Sequence, residues 1–150
     1  MSENDSLIPW IGKTGRLITM YIDAQLRQHD FDLTVQQWLL LKLLDHQDGQ
    51  MQNDLALCTG RNKASLARLI ATLESKDFVS RRVASLDRRA KHVFITKTGR
   101  KIYRQTLPVI SRSFEKIQEG ISAAVLEKTN DVLSQVQQNI DLQLFANTSN

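Results

Sequence analysis

A chain of 150 residues, 41% of them hydrophobic and 24% charged, is long enough to bury one ordinary core and too short for several. Its single cysteine, Cys58, excludes an intrachain disulfide, and charges interrupt every apolar cluster short of the ~20 residues that span a bilayer. The formal charge of +4 conceals an asymmetry: thirteen of the 20 basic residues fall between Arg61 and Arg104 with three acids, Glu74, Asp77 and Asp87, so this stretch carries +10 and the remainder −6. Such a surface suits a polyanion, because neutralising phosphates with Lys and Arg releases condensed counterions. The plainer alternatives are a solvated charged face or a membrane-surface patch. The opening stretch, Met1 to Trp10, has neither a basic n-region nor a long apolar run, so no export signal is expected and the chain reads as cytosolic.

From Pro9 to about His29, Trp10, Ile11, Leu17, Ile18, Tyr21, Ile22 and Leu26 recur at helical spacing, and Pro9 suits a first turn where its missing N–H costs nothing. Thr34, three residues before Gln37, predicts a capping box opening a second helix over Val35 to His46, with Leu33 and Trp38 spaced as a hydrophobic staple. After Asp48-Gly49, Gln52 to Cys58 reads as a short third helix, turned by Thr59-Gly60. Asn62 can cap a fourth, whose Leu66, Leu69, Ile70 and Leu73 face inward while Arg61, Lys63, Ser65 and Arg68 lie at its outward N-terminal end. Short helix, tight turn, longer basic helix is helix-turn-helix order.

Phe78 to Val83 and Lys91 to Ile95 alternate in character around the polar stretch Ala84 to Ala90, which predicts a β-hairpin with a charged tip. Thr96 can cap a fifth helix running to about Glu119, where Pro108 removes a backbone donor and should kink it. Ser122 opens a last helix in which Leu126, Thr129, Leu133, Val136, Ile140 and Leu144 repeat at intervals of three and four, as seams for a partner helix do. The expected fold is mainly α with a small β-hairpin wing.

This order resembles the MarR family of bacterial transcription regulators, and locally its SlyA branch. The stretches that carry the likeness are Leu33-Thr34 with Trp38, Asp54-Leu55-Ala56, Gly60 with Ser65-Leu66-Ala67-Arg68-Leu69-Ile70, Asp87-Arg88-Arg89-Ala90-Lys91, and Ile95-Thr96-Lys97-Thr98-Gly99-Arg100. Asp77 stands where the family usually has glycine, Thr59 where it has leucine, and Met51 where it has a small capping residue. The resemblance implies a winged helix-turn-helix over residues 33–96, flanked by dimerisation helices at 7–30 and 97–146. It further implies a homodimer on double-stranded DNA at a pseudo-palindromic operator, cytoplasmic and nucleoid-associated, controlled by a small aromatic or anionic effector, with no membrane partner.

Asn62, Lys63, Ala64, Ser65 and Arg68 are the candidates to enter a major groove, since recognition helices read base edges from their N-terminal turns. Arg81, Arg88, Arg89 and Lys91 are the wing candidates. Asp87 can hold one guanidinium so that its fork points outward, and the resemblance assigns Arg89 to the minor groove, where narrow A·T-rich DNA has enhanced negative potential. In the family a cleft for small anions lies among the first helices, for which Arg16, Tyr21 and Trp38 are candidates; the plainer reading makes Trp10, Tyr21, Phe31 and Trp38 core. Cys58 reads as a small core residue. His29, His46 and His92 lack metal-site spacing, and no nucleophile–base constellation or phosphate-binding glycine loop appears, so neither metal, cofactor nor enzymatic activity is expected. Two alternatives remain, a low-specificity architectural DNA-binding protein and a helical protein-interaction module.

Overall fold

A computed structural model describes residues 6–83 and 90–146, with side chains as far as Asp141. In chain order it contains α1 (Ile8–Gln28), α2 (Val35–His46), β1 (Gln50–Met51), α3 (Gln52–Thr59), α4 (Lys63–Ser75), β2 (Val79–Val83), β3 (Lys91–Ile95), α5 (Lys97–Ile117) and α6 (Ala123–Ala146). The fold is mainly helical with a small antiparallel sheet. The chain divides into two compact units, Met1–Phe114 and Glu115–Asn150.

The helix starts follow from the caps. Thr34 Oγ1 accepts the Gln37 N–H (3.2 Å) while the Gln37 side-chain oxygen accepts the Thr34 N–H (3.1 Å), the reciprocal bonds expected of a capping box. Asn62 Oδ1 accepts the Ser65 N–H (2.8 Å) and Thr96 Oγ1 the Gly99 N–H (2.9 Å), so α4 and α5 also begin where the sequence places them. Met51, before α3, offers no side-chain cap. Asp77 takes the left-handed conformation (φ 60°) that closes α4, as a family glycine would. Its carbonyl accepts the Thr96 hydroxyl, so the end of α4 is held against the start of α5.

The core of the first unit is aliphatic. Ile22 and Leu26 of α1, Leu40, Leu41 and Leu44 of α2, Leu55 of α3, and Leu66, Ile70 and Leu73 of α4 have no exposed surface. Each is worth ~1.5–3 kcal/mol relative to an exposed position. Val79, Val93 and Ile95 add the inner face of the sheet. Between helices the ties are polar: Asp23 Oδ1 accepts the Val35 N–H (2.7 Å), and Lys76 donates to Asp32 (3.0 Å) and to Gln37 Oε1 (3.4 Å).

Four sequence expectations need correction. The hairpin is part of a three-stranded sheet, order β1-β3-β2, because Gln50 and Met51 pair with Val93 and His92. Cys58 is exposed, since α3 turns Leu55 and Ala56 inward and leaves Leu57 and Cys58 on its outer face. Trp10 is 66% exposed, so it is not core, and α5 stops at Ile117. In the second unit, Leu126, Leu133 and Val136 of α6 are half-buried while Val125, Val132 and Ile140 stand about half in solvent.

Candidate nucleic-acid interface

Helices α3 and α4 meet at Gly60, whose φ of 63° belongs to the left-handed region that glycine enters at no steric cost. Its N–H bonds the Leu57 carbonyl and that of Arg61 bonds Ala56, turning the chain sharply into α4. Because Leu66, Ile70 and Leu73 are pinned in the core, the opposite face of α4 is forced outward. It presents Asn62, Lys63, Ala64 and Arg68 as exposed residues, with Ser65 half-buried beside them. The unpaired N–H groups of this helix start add positive potential to the two cations.

The base of the wing is anchored on both sides. Asp48 Oδ1 accepts the Ile95 N–H (2.9 Å) and the Gly49 N–H (3.0 Å), and Arg100 bridges Asp45 and, at 3.8 Å, Asp48. His92 Nδ1 lies 3.0 Å from the Gly49 carbonyl oxygen. Along β2, Arg81 donates through Nη2 to Glu74 Oε1 (2.8 Å), and its backbone N–H reaches Glu74 Oε2 (3.2 Å). The hydrogen bond from Arg81, aided by its charge, holds the Glu74 carboxyl below the usual range against the opposing effect of burial. Arg81 thus spends its guanidinium on α4, whereas Arg82 next to it is exposed and lies 4.6 Å over the Phe94 ring. Lys91 is exposed at the start of β3. A cavity of about 220 Å³ opens between Met51, Gln52, Asn53, Ala90 and Lys91. Asp87, Arg88 and Arg89 lie outside the described residues.

The MarR family model matches residues 33–91, from just before α2 to the first residue of β3. Over that stretch the chain is similar to the MarR family. Solved structures agree with the MarR fold over nearly the whole chain. MepR from S. aureus in a DNA complex is 23% identical with a TM-score of 0.78, covering 89% of this chain and 98% of that one. A cysteine-to-serine variant of MarR from E. coli complexed with operator DNA is 19% identical with a TM-score of 0.80, covering 89% and 95%. CouR from Rhodococcus jostii, bound to p-coumaroyl-CoA, is 20% identical with a TM-score of 0.77, covering 91% and 94%.

The three residues suggested for an effector cleft occupy different environments. Arg16 is exposed on α1 and Tyr21 half-buried, while Trp38 is 2% exposed. The Trp38 ring packs against Tyr103 (5.7 Å between centroids) and edge-on against Phe114 (6.2 Å), with the Lys42 ammonium 5.6 Å from its centre. Its indole N–H is buried with no partner among the described residues. Burial, and then the charge of Asp45, pushes the Tyr103 hydroxyl up from its ordinary value. Sequence reasoning missed Gln36, Asp48, Glu74 and Arg82. Only Asp48, directly before a glycine at a chain reversal, carried a local signal, that of a turn-forming carboxylate.

Proposed function

We propose that the protein is a homodimeric, sequence-specific DNA-binding transcription regulator of the SlyA branch, acting on a pseudo-palindromic operator. The observation that carries the reading is the outward face of α4, where Asn62, Lys63, Ala64, Ser65 and Arg68 sit on a helix whose other face is locked in the core. A helix held this way can enter a major groove without rearrangement, and its side chains then meet base edges that distinguish all four base pairs. Lys91 and the wing-tip pair Arg88 and Arg89, oriented by Asp87, serve the flanking minor groove and phosphates. Arg81 contributes as the wing's root rather than as a direct contact, since Glu74 holds it. The branch assignment rests on the motifs taken together over about residues 33 to 104. The exposed apolar residues of α1 and α6 supply the dimer surface, and an effector in a cleft beside Arg16 and Tyr21, with Trp38 buried in the core, shifts the spacing between the two reading heads. That spacing must be ~34 Å for successive grooves.

The test is a competitive binding series, over a range of salt, with an operator recovered from a random-duplex selection and its scrambled counterpart, alongside sedimentation at micromolar concentration. A dimer that prefers the operator with a steep salt dependence supports the reading. Equal affinity for both duplexes makes this an architectural DNA-binding protein. An absence of salt-steep affinity makes it a helical interaction module, and a monomer removes the two-headed mechanism.

A further inference from the structure

Arg61, one residue before the α4 cap, does not extend into solvent. Its Nη1–H donates to Ser65 Oγ (2.8 Å) and its Nη2–H to Gln36 Oε1 in the first turn of α2. A cation at a helix N-terminus opposes the helix dipole, so this arrangement is a poor choice if stability alone is at stake. It has a definite consequence for the hydroxyl of Ser65. Guanidinium has five donors and no acceptor, so Ser65 Oγ can only accept from it, and the Ser65 proton must point elsewhere. No bond from that hydroxyl to the backbone of its own helix occurs, unlike Thr72 or Ser113, which donate to the carbonyl four residues back. The backbone N–H of Ser65 is already taken by Asn62 Oδ1. That bond takes one lone pair of Asn62 Oδ1 and leaves its amide N–H groups to donate.

We propose that Arg61 is a positioning residue which, braced by Gln36, occupies one lone pair of the Ser65 hydroxyl and turns its proton outward, so that this end of α4 prefers an acceptor edge, guanine O6/N7 or thymine O4, to the amino group of cytosine. The inference rests on α4 being the groove-reading helix. A bond accepted from a permanent charge polarises the hydroxyl and fixes its rotamer, and both effects sharpen discrimination against the amino group of cytosine. Arg61 acts here through Ser65 and needs no contact with DNA.

The experiment is a random-duplex selection on the parent protein, Ser65→Ala, Arg61→Gln, Arg61→Lys and the double variant Arg61→Gln/Ser65→Ala, with melting temperatures recorded for each. In the parent, one position per half-site should disfavour C by about five- to tenfold, the worth of one well-placed bond. Ser65→Ala and Arg61→Gln should both flatten that same position to within about twofold, and the double variant should flatten it no further. Arg61→Lys keeps the charge but cannot span both partners, so it should relax the same position while the salt slope stays unchanged. If Arg61→Lys and Arg61→Gln leave the position intact, or lower affinity uniformly with an unaltered motif, Arg61 is a tie or a phosphate contact and the proposal is overturned. A parent that recovers no motif overturns the regulator reading and this inference with it; a parent motif untouched by the Arg61 variants overturns the inference alone.

Discussion

Replacing Gly99 by alanine tests how the wing is mounted on its long helix. Gly99 lies in the first turn of α5 with its α-carbon against the Phe78 backbone, and an added Cβ would stand 2.0 Å from the Phe78 carbonyl oxygen. Backbone cannot swing aside as a side-chain tip can, so α5 and the start of the wing must part by about 1 Å to restore even a tight contact of 3.0 Å. The same carbonyl accepts the Thr96 N–H at 3.1 Å, and the parting strains that bond. Overpacking against backbone this close costs ~2–3 kcal/mol and a weakened hydrogen bond up to ~1, while alanine returns ~1 through helix propensity, leaving ~1–3 kcal/mol of destabilisation. For a chain of this size that lowers Tm by ~3–10 °C. Thermal melting of Gly99→Ala beside the parent measures it. The variant should also lose DNA affinity, because the displaced element carries the wing. A Gly99→Ala protein that melts at or above the parent temperature refutes the close approach, since only the propensity gain would then be operating.

The Arg81–Glu74 pair should give the protein an acid-sensitive limb. Because the folded-state pKa of Glu74 is lowered, its stabilisation is present above the ordinary carboxylate value near 4.5 and is lost as pH falls through the folded value. With the Glu74 side chain 38% exposed, screening limits the effect to less than ~1 kcal/mol. Urea midpoints from pH 6 to pH 3 should converge for the parent and Glu74→Gln at the acid end; parallel curves would mean the pair is worth nothing. Cys58 should react with a thiol reagent at the rate of a free thiol under native conditions, and protection lasting until unfolding would contradict its exposure on α3. Arg89→Ala should weaken binding to every duplex, lowering the magnitude of the salt slope by roughly one and leaving Tm nearly unaltered; unchanged affinity would remove the wing tip from the mechanism. Arg68→Ala should instead cost ~1–3 kcal/mol on the cognate site and relax one position per half-site, and a uniform loss with the motif intact would make Arg68 a phosphate anchor.

Where a structural decision lies within a few residues of chain, the sequence alone settled it. Thr34, Asn62 and Thr96 cap helices that begin at the next residue, because a short polar side chain reaches an N–H three positions on and no farther. The inward stripe Leu66, Ile70 and Leu73 was legible for the same reason, whereas Asp77 in the left-handed region after α4 was legible only through the resemblance, at a position where the family usually has glycine. Tertiary structure decided what depends on partners remote along the chain. β1 has only two residues and exists through pairing with β3, some forty positions later, so no local alternation could announce it. Arg61 and Arg81 look alike in sequence to Arg68 and Arg82, yet Gln36 and Glu74 engage the first two and leave the others exposed. Trp38 became core because Tyr103 and Phe114 of α5 close over it. Cys58 stayed outside because a helix of eight residues has one buried face, which Leu55 and Ala56 already fill. Composition marks a basic surface, but which cations remain free to meet a phosphate is fixed by the carboxylates and amides that folding brings beside them.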